Sequence, residues 1–444
     1  MNKHLLKTIR DNMPESIKYL TASLFRNKLI KNEEFCKYYK LLEDREKLSP
    51  DRIREYQLSQ LKQILTYSYQ NVPYYKELFN KVSFNPFEFS DFEQIKNIPF
   101  LTREIIRDNF NELKSTKGVK NGYYLGLTGG STGLPLKFYL DFNSIYKENA
   151  FIYFYRKKLG YKFSDKLITF RAIEFANKHW KFNPMYNEML FCPLKLSKLT
   201  IANYSRRMNE FKPDYLNGYL STIWYFAKLL EEYKINFTFK LKGIFLISEN
   251  IDDNQRKFIE EFFKAKSATF YGHSERCVIA EEITWNRYKF DPYYGYTEQI
   301  HIAENEYSIV GTGFLNYLMP FIRYKTDDSC FPEDQNYLIG GKRSSTNGFY
   351  GHNDEFLSTM TLLNLEKAIF KNIPRYQFIQ NEKGKADLLV VVNKYFQNSE
   401  LELIKKEVDR QTKGVLDIEI KIVENLILTP RGKYQKYICN IVRE

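Results

Sequence analysis

The chain has 444 residues, 43% hydrophobic and 27% charged, the balance of a soluble globular protein with room for two or three domains. No apolar run approaches the ~18–20 residues of a membrane span. The net charge of +13 could serve nucleic acid, an anionic membrane or a phosphorylated ligand. Because Lys and Arg are spread along the chain and no nucleic-acid module is legible, it reads as a solvated surface with no nucleic-acid partner.

Residues 1–50 read as helices with loops. The start, Met1 to Lys7, is basic, but Asp11, Asn12, Pro14 and Glu15 interrupt it before any signal-like apolar core. Basic charge beside Leu5, Leu6, Ile9, Leu20 and Leu24 would allow a peripheral membrane contact there. Arg52 to Tyr69 sets Leu58, Leu61, Leu65 and Tyr69 at helical spacing, and Asn71-Val72-Pro73 stops it. Thr102 reads as the N-cap of a helix running through Phe110. Leu136 to Asp141 alternates like a strand, which predicts a hairpin about the glycines before it. Asn143 to Leu159 is helical and closes on Gly160. Lys166 to Phe170, Leu241 to Ile247 and Ala268 to Tyr271 read as short strands. Helices over Ser221 to Tyr233 and Asp253 to Phe263 lie between them, and the alternation predicts an α/β core.

Past residue 340 the character changes. Residues 342–356 are linker-like in composition. Leu362 to Phe370 (helical), Arg375 to Gln380 and Ala386 to Asn393 (extended), Ser399 to Gln411 (helical) and Val415 to Val423 (extended) predict a small α+β domain. The boundary falls near 341, giving a large α/β domain over 1–341, with 1–55 as its helical lead-in, and a small domain over 342–444. The five cysteines, Cys36, Cys192, Cys277, Cys330 and Cys439, are odd in number and scattered, which suits reduced thiols in a cytoplasm.

Four stretches could carry chemistry. Thr128-Gly129-Gly130-Ser131-Thr132-Gly133-Leu134-Pro135 can turn backbone N–H groups and three hydroxyls toward an anion, or can be a plain glycine turn between strands. It lacks the Gly-Lys-Ser/Thr ending of the common phosphate loop. Tyr271-Gly272-His273-Ser274-Glu275 follows a strand, with an aromatic that can cover a base and a carboxylate that can hold Mg²⁺. In Arg323-Tyr324-Lys325-Thr326-Asp327-Asp328 the paired acids could meet vicinal hydroxyls, a metal or water. Thr429-Pro430-Arg431-Gly432-Lys433 puts a mobile point charge on a loop, suited to a phosphate or carboxylate or simply to solvent.

In this order and spacing the four motifs resemble the adenylate-forming superfamily, and within it the phenylacetate–CoA ligase-like enzymes of the capsular and surface-polysaccharide branch. The likeness runs from about residue 55 to 440 and includes Asn71-Val72-Pro73-Tyr74-Tyr75. It implies an adenylate-forming fold with a mobile C-terminal domain, using ATP and Mg²⁺ and, for some members, CoA. Thr128, Gly129, Gly130, Ser131, Thr132 and Gly133 would embrace the phosphates, with Thr132 counted among the catalytic groups. Tyr271, with Gly272, His273 and Ser274, would lie at the adenine, Glu275 would ligate Mg²⁺, and Asp328 would bind the ribose hydroxyls. Ser248 and Glu249 would approach the nucleotide, Arg343 would stand at the hinge near the phosphates, and Lys433 would bridge substrate carboxylate and α-phosphate.

Three departures stand out. Gly129 replaces a usual serine, Gly340-Gly341-Lys342-Arg343-Ser344-Ser345 lacks the hinge acid, and Ala280 to Tyr293 offers no Cys or His for the structural zinc of some relatives, so no zinc is expected. The resemblance implies an AMP-forming carboxylate ligase acting from the cytoplasm, a monomer or a dimer. It would make an acyl-adenylate, release pyrophosphate and pass the acyl group to CoA or an amine. The alternatives are acyl transfer to a protein, as in acyl-protein synthetases, and a catalytically silent nucleotide-binding scaffold. The acid is not legible; Tyr155, Phe170, Tyr219 and Phe245 are candidate walls for it.

Overall fold

The computed structural model describes residues 14–119, 121–127, 136–171, 178–303, 306–331, 337–339, 348–353, 356–358, 372–412, 414–428 and 434–441. The glycine-rich loop Thr128 to Pro135, the boundary at 341 with Arg343, the helix expected over 362–370, and Thr429 to Lys433 lie outside these residues.

The chain opens with helices α1 (Glu15–Ile30), α2 (Glu33–Asp44), α3 (Pro50–Asn71), α4 (Pro73–Lys81) and α5 (Arg103–Asp108). Ser49 caps α3, Pro50 starts it, and Pro73 opens the next helix where the sequence predicts a stop. Leu61, Ile64 and Leu65 of α3 are fully buried against Tyr75, Phe79 and Tyr324. Strands β1 (Tyr123–Leu127) and β2 (Lys137–Asp141) then pair antiparallel, with Leu127 opposite Lys137. The expected hairpin is therefore present, and the glycine-rich residues join its two strands. Asp141 caps α6 (Phe142–Arg156), accepting from the Ser144 N–H at 2.7 Å. A short 3₁₀ turn follows and stops at Gly160, whose φ of 76° a side chain would resist.

The large sheet is built from β3 (Leu167–Phe170), β4 (Trp180–Asn183), β5 (Glu188–Phe191), then α7 (Ile201–Phe211), β6 (Tyr215–Gly218), α8 (Leu220–Glu232), β7 (Gly243–Leu246), α9 (Asp253–Phe263), β8 (Ser267–Gly272), β9 (Ile279–Thr284) and β10 (Arg287–Phe290). With β14 (Tyr337–Ile339) its order is β14-β10-β9-β8-β7-β6-β3-β5-β4. The inner strands β5, β3, β6, β7 and β8 run parallel, and antiparallel strands close both flanks. Their inner residues are buried on both faces, as a sheet covered by helices requires. Helices α7, α8 and α9 cover one side through Phe226, Leu230 and Ile259, and α6 with α2 covers the other through Phe151 and Tyr38.

Strands β11 (Gly295–Ala303), β12 (Glu306–Gly313) and β13 (Tyr324–Cys330) form a separate antiparallel sheet. Toward the C-terminus, β15 (Gly348–Tyr350) pairs with β16 (Phe356–Ser358). The last sheet comprises β17 (Arg375–Glu382), β18 (Lys385–Val391), β19 (Asp417–Ile422) and β20 (Tyr437–Cys439) in the order β19-β18-β17-β20, with α10 (Ser399–Thr412) packed on it. Its core, including Phe349, Phe378, Leu388, Ile404 and Val408, draws only on residues from 349 onward. The fold is thus mixed α/β, with a large N-terminal part and a small α+β C-terminal part.

Candidate functional site

The parallel strands β6, β7 and β8 end side by side, and in such sheets ligands bind beyond the carboxyl ends of the strands. Gly272 at the end of β8 pairs with Ile279 of β9, so residues 273–278 form the turn between them. Arg276 closes that turn, its N–H donating to the His273 carbonyl at 3.2 Å, with φ at 58°. A residue bearing a Cβ seldom occupies that region, and such strain concentrates at working sites.

Within the turn Glu275 is buried, and its carboxylate is surrounded by donors. Tyr324 donates its hydroxyl to Oε1 at 2.9 Å, the Arg103 guanidinium lies 3.7 Å from the same oxygen, and His273 Nδ1 is 3.2 Å from Oε2. Burial alone would raise this carboxyl. The hydrogen bond and charge of His273, the charge of Arg103 and the hydrogen bond from Tyr324 outweigh it and hold Glu275 down at about 2. Glu275 is an ionised carboxylate at any physiological pH.

The two aspartates separate. Asp328 turns inward, 8% exposed, and accepts from the Tyr271 hydroxyl at 2.9 Å. Asp327, with φ at 62°, turns outward and pairs with Arg103 at 2.7 Å. Burial, then the Asp328 carboxylate, push the Tyr271 hydroxyl far above its ordinary range, so it is a donor. On the neighbouring connection after β7, Ser248 has φ 58°. Glu249 accepts from the backbone N–H and hydroxyl of Ser221 at 3.0 and 2.8 Å, so it sits at the N-terminus of α8, where a carboxylate is stabilised. Tyr219 lies half-buried at the same end of β6.

Three residues of the site were not singled out from the sequence. Arg103 arrives through a long-range contact. Leu101 pairs with β13, donating to the Arg323 carbonyl at 3.0 Å and accepting from Lys325 N–H at 2.9 Å, and Thr102 then caps α5. Arg103, the first residue of that helix, is so delivered to Glu275 and Asp327. Tyr324 lay inside a motif, but nothing local marks it as the partner of Glu275. Arg276 reaches the Ser144 hydroxyl at 2.8 Å, the Tyr124 hydroxyl at 3.2 Å and the Glu148 carboxylate at 2.7 Å, so the site turn is tied to α6 and to the strand that leads into the glycine-rich loop.

Other expectations shift. Arg323 is structural: its buried fork grips Glu298 at 3.0 and 2.8 Å and donates to the Lys96 and Ile98 carbonyls. Tyr155, Phe170 and Phe245 are buried among core residues. Tyr155 donates to Asp291, Phe170 packs on Phe191 and Phe226, and Phe245 stacks on Tyr215. Among the described residues no group of three or more His, Cys, Asp or Glu side chains could hold a metal ion. Glu275, an ionised hard oxygen donor, is of a type that could serve as one Mg²⁺ ligand. The buried His273 Nε2 beside it has no hydrogen-bond partner among the described residues and could meet a nucleotide.

Residues 349–440 match the family model for the CapK C-terminal domain. Over 98% of the chain and all of its relative, the sequence is 24% identical to Protein CapK of Staphylococcus aureus. A 95-residue stretch, 21% of this chain and 22% of the other, is 30% identical to phenylacetate–coenzyme A ligase of Pseudomonas putida. Among solved structures, 2-hydroxyisobutyryl-CoA ligase in the postadenylation state, in complex with 2-HIB-AMP, superposes with a TM-score of 0.63 at 15% identity, covering 86% of this chain and 89% of that one. No helix among the described residues is long and apolar enough to cross a membrane.

Proposed function

We propose, from the premise that the chain belongs to the phenylacetate–CoA ligase-like family of adenylate-forming proteins, that it activates a carboxylic acid with ATP and transfers the acyl group to CoA. The observation that carries this reading is the cluster of Tyr271 with Asp328 and of Glu275 with His273, Tyr324 and Arg103 beyond the ends of the parallel strands. An acid, a base-covering aromatic and an ionised carboxylate, placed beside the hairpin of the glycine-rich loop, form the set that a nucleotide triphosphate needs.

In the first step a substrate carboxylate oxygen attacks the α-phosphorus of ATP. The bond from that phosphorus to the bridging oxygen breaks, and pyrophosphate leaves. Both partners are anions, so the barrier is largely electrostatic. Thr128 to Gly133 would hold the phosphates, Asp328 the ribose hydroxyls and Tyr271 the base. Lys433 would neutralise the approaching charges at the reacting centre. A Mg²⁺ ion, held by Glu275 and the phosphates, would supply further charge neutralisation. In the second step the CoA sulfur would take the acyl group and AMP would leave. The similar 2-hydroxyisobutyryl-CoA ligase holds 2-HIB-AMP in its postadenylation state, which supports this order of events.

A place in surface-polysaccharide synthesis is supported by the motif resemblance alone, and the C-terminal part beginning near residue 341 would be the piece that moves between the two steps. Carboxylate-dependent ATP–pyrophosphate exchange across a panel of acids tests the activity. Exchange with at least one acid is expected, and Lys433→Ala should lower it by at least about 100-fold, the usual loss for a group that stabilises transition-state charge. A Lys433→Ala protein with full exchange would remove the lysine from the mechanism, and no exchange with any acid would overturn the ligase reading.

A further inference from the structure

A buried arginine lies between the C-terminal sheet and the large domain. Arg375 opens β17 and is 8% exposed, and its Nε and Nη2 have no hydrogen-bond partner among the described residues. Its guanidinium carbon lies 4.6 Å from the ring centroid of Tyr225, on α8 of the large domain, and 5.0 Å from that of Tyr434. Burial lowers its pKa, and Tyr434, Tyr225 and the carboxylate of Glu249 offset part of that. A charge so placed is expensive to bury and draws its compensation from ring faces and from one acid on the other side of the domain boundary.

Tyr434 directly follows Lys433, and the arms of that loop are fastened to β17. Leu428 pairs with Tyr434. The fully buried Gln377 donates to the carbonyls of Ile427 at 2.8 Å and Gln435 at 2.7 Å, and accepts from the Ile427 N–H at 3.0 Å. Arg375 and Gln377, two residues apart on a strand, share one face. Gln377 thus holds both arms of the loop, while Arg375 reaches from the same face to Tyr225.

We propose that Arg375 is a positioning residue for adenylation: through its stack with Tyr225 and Tyr434 it fastens Tyr434, the residue that follows Lys433 in the sequence, to α8 of the large domain. The inference rests on the adenylation reading above. Exchange kinetics, equilibrium ATP binding and the distance between the domains test it, using Arg375→Ala, Arg375→Lys, Tyr225→Leu and the double variant Arg375→Ala with Tyr225→Leu. Loss of one desolvated cation–π contact should lower the exchange rate by about 30-fold and leave the ATP Kd within about twofold, because the nucleotide groups lie in the large domain. Arg375→Lys should recover much of the rate, and the double variant should be no slower than the worse single one. Losses that multiply in the double variant, or that appear equally in ATP binding, would mark a general structural role and overturn the proposal. If the wild-type chain shows no exchange with any acid, the adenylation reading fails by itself, and the domain distance still decides this one. With spin labels at Lys264→Cys and Lys406→Cys in a Cys36→Ser, Cys439→Ser background, Arg375→Ala should lengthen or broaden the distance distribution, whereas an unchanged distribution would overturn the fastening role.

Discussion

Glu275 shows how a carboxylate can be both buried and charged. The desolvation cost opposes ionisation, yet His273 from the same turn and two groups from distant parts of the chain, Tyr324 and Arg103, converge on two oxygens and win. Because its folded pKa is depressed below the ordinary value of 4.5, the stabilisation it brings is complete above that value. It is lost as pH falls from about 4.5 toward about 2. Glu275→Gln should therefore cost on the order of 3 kcal/mol near neutral pH, and the gap to the wild type should narrow as acid is added. Urea unfolding of both proteins at pH 7, 4 and 3 measures this. A gap that stays constant over the series would mean that the charge of Glu275 contributes nothing to folding. Little of this environment was legible in the sequence: the motif marked Glu275 as an acid in a turn, but Arg103 reaches it only because Leu101 pairs with β13, a contact across more than two hundred residues that no local pattern encodes.

Among the elements, legibility followed hydrophobic patterning. The parallel strands β3, β7 and β8 and helices α8 and α9 stood out because each alternates between an apolar run and a helical stripe. The sheet β11-β12-β13 did not. Its strand β13 reads Tyr-Lys-Thr-Asp-Asp-Ser-Cys, and Thr326, Asp328 and Ser329 are buried through hydrogen bonds rather than through apolar surface. A strand that carries site groups breaks the pattern by which strands are recognised. The hairpin β1-β2 was legible, and one glycine in it has a packing reason. Gly126 lies opposite Phe138, and a Cβ there would come within 2.7 Å of that ring, which is 1% exposed and packs on Phe321. The ring has little room to yield. Gly126→Ala should destabilise the chain by about 1–3 kcal/mol through overpacking. It should also raise the KM for ATP, because the displaced strand leads into the glycine-rich loop. Thermal melting and exchange kinetics on one preparation check both, and a variant with wild-type Tm and KM would show that the hairpin adjusts freely.

In the molecule as a whole, two contacts among the described residues between the C-terminal part and the large domain differ in kind and in magnitude. On the surface, Lys394 donates its backbone N–H to the Glu232 carboxylate at 3.0 Å and its ammonium to the Glu232 carbonyl at 2.8 Å. Inside, Arg375 meets Tyr225 with its charge desolvated. Water and ions screen the first contact, and exposed pairs of that kind contribute about 0.2–1 kcal/mol. Truncation of Glu232 removes only the carboxylate, because the ammonium is received by a backbone carbonyl that every residue retains. Glu232→Ala should therefore change the exchange rate by less than about fivefold and lose even that effect in high salt. Steady-state exchange at low and high salt measures it. A loss from Glu232→Ala that matches or exceeds the loss from Arg375→Ala would place the interdomain hold at the exposed rim instead of at the buried arginine. The ordering follows from burial: of the two contacts, the one that excludes water contributes more to the hold between the two parts.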